Sequence, residues 1–187
     1  MTDWNKYHEK TKGNPPREQM LEGLTHVTNM KEALDLGAGS LRDTYYLSSK
    51  FNHVTALDAE SSLSEKEVPT NVSVVISPFE EMDLPENNYD FVSSQFSLSF
   101  VDRENIYEIM EKVKLSLKRD GVFCGQFFGE KDEWNKGGKK MSFVTREEAE
   151  ELLSGLEVIS IKEEQVDKKT AAGKEKHWHL IHFAVRR

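Results

Sequence analysis

Short apolar runs recur along this chain, separated by segments in which apolar residues return every three or four positions. The runs at 32–36, 53–58, 72–76, 89–94 and 121–128 have the length and the β-branched or aromatic content of buried strands. Two further strand candidates follow, Leu156–Ile161 and Trp178–Val185. In the second, Trp178, Leu180, His182 and Ala184 alternate with His179, Ile181, Phe183 and Val185. Helical spacing fills the intervals at 41–50 and 103–117, the latter through Ile106, Ile109, Met110, Val113 and Leu117. The stretch 60–68 is weaker and predicts only a turn or two. Ahead of the first strand, Pro16 opens a helix predicted to reach Val27, with Leu21, Leu24 and Val27 on its packed face. Thr145-Arg146-Glu147-Glu148 is a capping box that starts a helix to about Leu153. Strands alternating with helices predict an α/β fold with a doubly wound, mostly parallel sheet.

The length of 187 residues suits one domain with a core on both sheet faces. The expectation is a single domain over 1–187, with an N-terminal cap and first helix over 1–30 and the sheet core over 31–187. Lys and Arg number 25 against 33 Asp and Glu, and the resulting −8 argues against a nucleic-acid or anionic-membrane partner. The single cysteine, Cys124, lies in the apolar run Val122–Phe128 and predicts a buried structural thiol. Met1-Thr2-Asp3-Trp4-Asn5-Lys6 has no apolar leader pattern and no stretch has the length of a membrane span, so a cytoplasmic protein is expected.

Candidate chemistry concentrates in Ala33-Leu34-Asp35-Leu36-Gly37-Ala38-Gly39-Ser40, where a strand ends in an acid and a glycine loop opens a helix. Nineteen positions beyond Gly39, the next strand ends at Asp58, placed to accept hydrogen bonds from a ribose diol. In a doubly wound sheet ligands bind beyond the carboxyl ends of the strands, so the loops after Leu36, Asp58, Ile76, Ser94 and Phe128 form the working edge. The dinucleotide fingerprint asks for glycine where this chain has Arg42, and a P-loop needs a Gly-Lys-Ser/Thr ending that is missing here. Asp35, two residues before the first glycine, suits instead a cofactor that carries an ammonium and a sulfonium.

On these residues the chain resembles the class I S-adenosylmethionine-dependent methyltransferases over nearly its whole length. Asp35-Leu36-Gly37-Ala38-Gly39 is similar to the family's first motif, with Leu41 where a third glycine is usual. Asp58 matches the acid that holds the ribose hydroxyls. Ser77-Pro78-Phe79-Glu80-Glu81-Met82-Asp83-Leu84-Pro85 resembles the adenine loop, with Pro78 in place of the common aspartate. Recognition there falls to backbone groups of Phe79 and Glu80, and Phe79 packs on the ring. Tyr89–Phe96 resembles the fourth strand and Leu117–Gly121 the turn into the fifth. Tyr7-His8-Glu9-Lys10-Thr11 and Lys176-His177-Trp178-His179 are similar to small tellurite-resistance-type and related small-molecule methyltransferases. The resemblance implies a Rossmann-like seven-strand sheet with an antiparallel last strand, S-adenosyl-L-methionine as cofactor and S-adenosyl-L-homocysteine as product. The implied cofactor-binding residues are Arg17, Asp35, Gly37, Ala38, Gly39, Asp58, Phe79, Glu80 and Gln95, with Arg17 pairing to the methionine carboxylate. No metal is expected.

In-line transfer of a methyl group asks the protein to align the reactants and exclude water, and a hydroxyl or ammonium acceptor also needs a base. Tyr7, His8, Tyr46, His177 and His179 are candidates for that base, His177 the foremost, although each could equally be a packing or rim residue. Gln95-Phe96-Ser97-Leu98 lacks the Asn/Asp-Pro-Pro-aromatic signature of enzymes that methylate nucleic-acid amines. Phe96, Phe100, Phe127, Phe128 and Trp134 supply an apolar lining for a small-molecule acceptor. Lysines in Glu130–Lys140 and Asp167–Lys176 suggest two loops forming a mobile, mildly basic lid that favours an anionic acceptor. The rival readings are a non-catalytic cofactor-binding regulator or partner, and a nicotinamide-dependent oxidoreductase. The oligomeric state is left open.

Overall fold

The computed structural model describes residues 10–11, 13–136, 140–170 and 173–187. Its strands are β1 (Glu32–Leu36), β2 (His53–Asp58), β3 (Val72–Ile76), β4 (Tyr89–Ser94), β5 (Leu117–Gly129), β6 (Phe143–Val144), β7 (Glu157–Lys169) and β8 (Glu175–Arg186). The helices are α1 (Glu18–Leu24), α2 (Arg42–Ser48), α3 (Ile106–Ser116) and α4 (Arg146–Leu152). The strands form one sheet in the order β3-β2-β1-β4-β5-β8-β7, with β6 beside the end of β5. β1 to β5 run parallel to one another, and β8 runs antiparallel between β5 and β7. This is the expected Rossmann-like architecture, with one additional two-residue strand.

Helices cover both faces because the central strands are apolar on both. Under α3 and α4 lie Leu34, Leu36, Phe123, Phe127 and Phe183, packed with Ile109, Val113, Ala149 and Leu152. On the other face α1 and α2 press Met20, Leu24 and Leu47 against Ala33, Phe91, Cys124 and Ala184. The helix α1 is shorter than the predicted span from Pro16 to Val27. Arg17 is its extended N-cap, and beyond Leu24 the chain continues only as turns. A methyl group on Gly23 would overlap the Cys124 side chain, so glycine lets α1 sit directly on β5. Cys124 is buried, and burial pushes its thiol well above the usual range.

The capping box forms as expected, with Glu148 N–H donating to Thr145 Oγ1 and Thr145 N–H to the Glu148 carboxylate. Three strands run longer than their apolar pattern, β5 from Leu117, β8 from Glu175 and, most of all, β7. β7 continues to Lys169 through Lys162-Glu163-Glu164-Gln165, a polar stretch ordered by pairing with β8 out to Lys169↔Glu175. Its charged side chains also guard an open sheet edge. Among the described residues no helix is long and apolar enough to cross a membrane.

Candidate functional site

The loop between β1 and α2 is held by its neighbours at each step. Gly37 and Ala38 donate to the Leu57 carbonyl at 2.8 and 3.0 Å, and Gly39 N–H donates to Asp58 Oδ2 at 2.8 Å. The other carboxylate oxygen of Asp58 accepts from Glu60 N–H at 2.9 Å. Gly37 has φ +83°, and a methyl group there would overlap Ser97 at the end of β4, so the loop passes where only glycine fits. Ser97 and Ser94 hydroxyls both donate to the Leu36 carbonyl, fixing that crossing. The missing third glycine leaves its mark on the backbone. Leu41 caps α2 at φ 65°, ψ 11°, a left-handed conformation, with its side chain wholly buried. A leucine thus stands here in a conformation that ordinarily favours glycine.

Below this loop lies an ordered set of charges. Asp35 is buried, and Thr44 Oγ1 donates to its Oδ2 at 2.6 Å. Burial and then the neighbouring Asp43 carboxylate push Asp35 up to about 7, against the Thr44 hydrogen bond and Arg17. Asp43 accepts the Arg17 backbone N–H at 3.0 Å and lies 3.7 Å from the Nε atoms of both Arg17 and Arg42. Two guanidiniums on one buried carboxylate leave net positive charge facing outward, a match for a carboxylate ligand. A buried carboxyl group short of positive charge is likewise a match for an ammonium. On these grounds the residues present fit S-adenosylmethionine.

The nine residues expected to bind the cofactor fall into three groups. Asp35, Gly37, Ala38, Gly39 and Asp58 build the loop. Phe79 is half-buried in the turn Phe79–Glu81, with its ring beside Gly37. Glu80 is exposed, and its carbonyl accepts from Lys112 on α3 at 3.2 Å, so only its backbone belongs to that corner. Arg17 and Gln95 instead line a cavity of about 410 Å³ between the N-terminal approach to α1 and the sheet, past the end of β4 and within β5 and β8. Arg42, Phe96, Gln126 and His182 complete the wall opposite Pro15 and Pro16. Arg17 stacks on Phe96 with its guanidinium carbon 4.6 Å from the ring centre.

None of the described base candidates lines this cavity. Tyr46 packs on α2 beneath Lys50. His177 Nδ1 pairs with Asp167 at 2.8 Å, and its backbone N–H donates to Glu133. His179 is buried; Lys131 N–H donates to its Nδ1, and its Nε2 faces Glu163 at 2.7 Å. Tyr7 and His8 lie outside the described residues. The histidine that does reach the cavity is His182, which the sequence reading passed over, along with Gln126. A glutamine inside the run Val122–Phe128, and a histidine between Leu180 and Ala184, are the signals that could have found them.

The two-loop lid is corrected by the structure. Asp167–Lys169 and Glu175–Lys176 are strand, paired with each other in the β7–β8 hairpin. Lys176 is only 2% exposed and donates to Asp132 Oδ2 at 2.6 Å inside a box of Phe128, Trp134 and Trp178. Its charge is used internally, pinning Glu130–Lys136 to β8. Residues 137–139 and 171–172 lie outside the described residues. The aromatic lining is also only partly as expected. Phe96, Phe100, Phe128 and Trp134 pack with Phe143, Leu180 and Trp178 into a closed cluster, and Phe127 points to the opposite face against Phe183. Only Phe96 of the five reaches the cavity.

Residues 34–125 match the model of a methyltransferase domain. Over 106 residues the chain is 37% identical to the human protein named arginine-hydroxylase NDUFAF5, mitochondrial, covering 54% of this chain and 30% of that one. The chain therefore spans under a third of that relative's length. TehB from Haemophilus influenzae superposes with a TM-score of 0.75 at 19% identity, over 98% of this chain and 66% of that one. The Burkholderia thailandensis 1,6-didemethyltoxoflavin-N1-methyltransferase, solved with 1,6-didemethyltoxoflavin and S-adenosylhomocysteine, gives 0.70 at 20% identity over 98% and 84%. These two solved structures share the fold.

Proposed function

Because the chain belongs to the class I S-adenosylmethionine-dependent methyltransferases, we propose that it methylates a small-molecule acceptor held in the cavity beneath Pro15, Pro16 and Arg17. The observation that carries this reading is the position of that cavity. It lies past the end of β4 and along β5, lined by Arg42 from the first turn of α2, and its lining includes Arg17 and Gln95, two of the residues expected to hold the cofactor. The cofactor, when bound, supplies an electrophilic methyl group on a sulfonium. Arg17, balanced with Arg42 on Asp43, would hold its carboxylate, Asp35 its ammonium side, Asp58 its ribose, and Phe79 with the Glu80 backbone its adenine. The chain's remaining task is to orient the acceptor and keep water out, for which the stacked Arg17 and Phe96 and the prolines supply one wall.

The acidic balance of −8 supports a small molecule over a nucleic acid. Calorimetry with S-adenosylmethionine should give saturable binding. Transfer of labelled methyl groups to a panel of thiols, oxyanions, amines and heterocycles should then identify an acceptor. Tight cofactor binding with no transfer to any class would favour the non-catalytic regulator.

The 37% identity to a protein named as an arginine hydroxylase supports a second reading, chemistry on an arginine side chain of a protein. Mass spectrometry of arginine-containing peptides after incubation separates the two, since only the second reading yields a modified arginine.

A further inference from the structure

The inner wall of the cavity carries polar atoms that the fold itself leaves unused. Gln126 is 1% exposed, and among the described residues neither its Nε2 nor its Oε1 has a hydrogen-bond partner. Gln95 is 6% exposed; its Nε2 donates to Ser93 Oγ at 3.1 Å, while its Oε1 has no partner among the described residues. His182 is the Cα partner of Gln126 across β5 and β8. Its Nε2 faces Glu164 at 3.3 Å, and its Nδ1 is buried without a partner among the described residues. All three residues line the same cavity. Buried polar groups are ordinarily satisfied, and an amide with both ends unmet in the middle of a central strand is a cost that packing alone does not explain.

Resting on the methyltransferase reading, we propose that Gln126, Gln95 and His182 form an acceptor-binding subsite for a planar nitrogen heterocycle bearing a ring lactam or ureide. The hydrogen-bond inventory dictates the class. The Gln126 amide presents a donor and an acceptor side by side in one plane. Its complement is an N–H and a C=O on the same edge, which a ring lactam provides and an open-chain trans amide does not. That match holds whichever way the Gln126 amide is turned. Gln95 Oε1 and, with Nε2–H donating to Glu164, His182 Nδ1 are both acceptors, so the ligand must bring further N–H groups. A carboxylate or phosphate would bring acceptors only and leave these atoms unmet. Burial, opposed by Glu164 and Glu22, holds the His182 imidazole below its ordinary range and so in the accepting form.

Lumazine, a fused ring ureide, and 1,3-dimethyllumazine, which lacks the pyrimidinedione N–H groups, are the probes. Each is titrated by calorimetry into the full chain saturated with S-adenosylhomocysteine, whose own binding is measured first. Lumazine should bind saturably, and the dimethyl compound about tenfold more weakly or worse, because hydrogen-bonding sites reject analogues lacking the hydrogen. Gln126→Leu should lose lumazine by a similar factor while raising the unfolding temperature of the ligand-free protein, since it removes an unmet buried amide. Equal affinity for the two probes, or absence of lumazine binding while S-adenosylhomocysteine still binds, would overturn the subsite and leave the methyltransferase reading standing. An unfolding temperature for Gln126→Leu no higher than that of the parent would also overturn it. Failure of S-adenosylhomocysteine to bind would instead overturn the reading beneath.

Discussion

The backbone N–H of Gly39 donates to Oδ2 of Asp58 at 2.8 Å, so the loop after β1 is tied to the tip of β2 by the residue expected to hold the ribose. One carboxylate thus sets the loop path and, with its remaining lone pairs, can accept from a ligand. Asp58→Ala should weaken S-adenosylmethionine binding by about 1.5–3 kcal/mol, the range for hydrogen bonds to a charged group. Asp58→Asn, which retains one acceptor for Gly39, should lose less. Calorimetry on the three proteins checks the order, and equal affinities would remove Asp58 from the site.

Leu41 offers a test of backbone against side chain. In ordinary helix positions glycine is worse than alanine, but at φ 65° alanine keeps the left-handed strain, about 1–2 kcal/mol, while glycine does not. Both replacements forfeit the buried leucine side chain, about 2–5 kcal/mol. Urea unfolding should therefore show Leu41→Gly no less stable than Leu41→Ala, the reverse of the usual order.

Asp35 titrates in the folded protein near 7, against 3.8 as its ordinary value. Between those values the folded state keeps a proton that the unfolded chain has released. This group's contribution to stability is therefore present below 3.8 and lost as pH rises towards 7. Asp35→Asn removes that slope. The stability of the variant relative to the parent should grow across the window and level off above it, as measured by urea unfolding at a series of pH values. A constant difference would contradict the assignment.

The ion pair of Lys176 and Asp132 is almost fully enclosed, with side-chain exposures of 1% and 0%. Asp132 also accepts from the backbone of Trp134 and His179. Lys176→Met alone should cost about 3–5 kcal/mol, as does stranding one member of a buried pair. Adding Asp132→Asn, which keeps an acceptor for the two N–H groups without the charge, should recover part of the loss. A double-mutant cycle by urea unfolding measures the coupling.

The parallel half of the sheet was legible because β1 to β5 are apolar runs bounded by turn residues, a pattern with few competing explanations. The capping box at Thr145 was legible for the same local reason. The β7–β8 pair was legible over Leu156–Ile161 and Trp178–Val185, but its extension was not, because Lys162–Lys169 carries no apolar alternation and is a strand only through its partner. Helix α1 was drawn too long because three leucine-type positions at helical spacing say nothing about where Gly23 must meet Cys124. At the site, the glycine loop and its acids follow from local sequence. The lysines at 168, 169 and 176 misled because charge in a sequence shows neither strand pairing nor an internal counter-ion. Gln126 and His182 stayed hidden because each is ordinary alone and they acquire meaning only as neighbours.

That neighbourhood has a consequence for folding. β8 inserts between β5 and β7, so Gln126 meets His182 through a long-range antiparallel pairing, and the loop at Gly37–Gly39, tied to Leu57 and Asp58, is likewise closed from afar by Ser94 and Ser97 on the Leu36 carbonyl. Contacts that close long stretches of chain pay the larger entropy and come late. The cofactor loop and the cavity wall thus wait on contacts of similar reach, so neither half of the cleft is finished before the sheet is assembled across β4, β5 and β8.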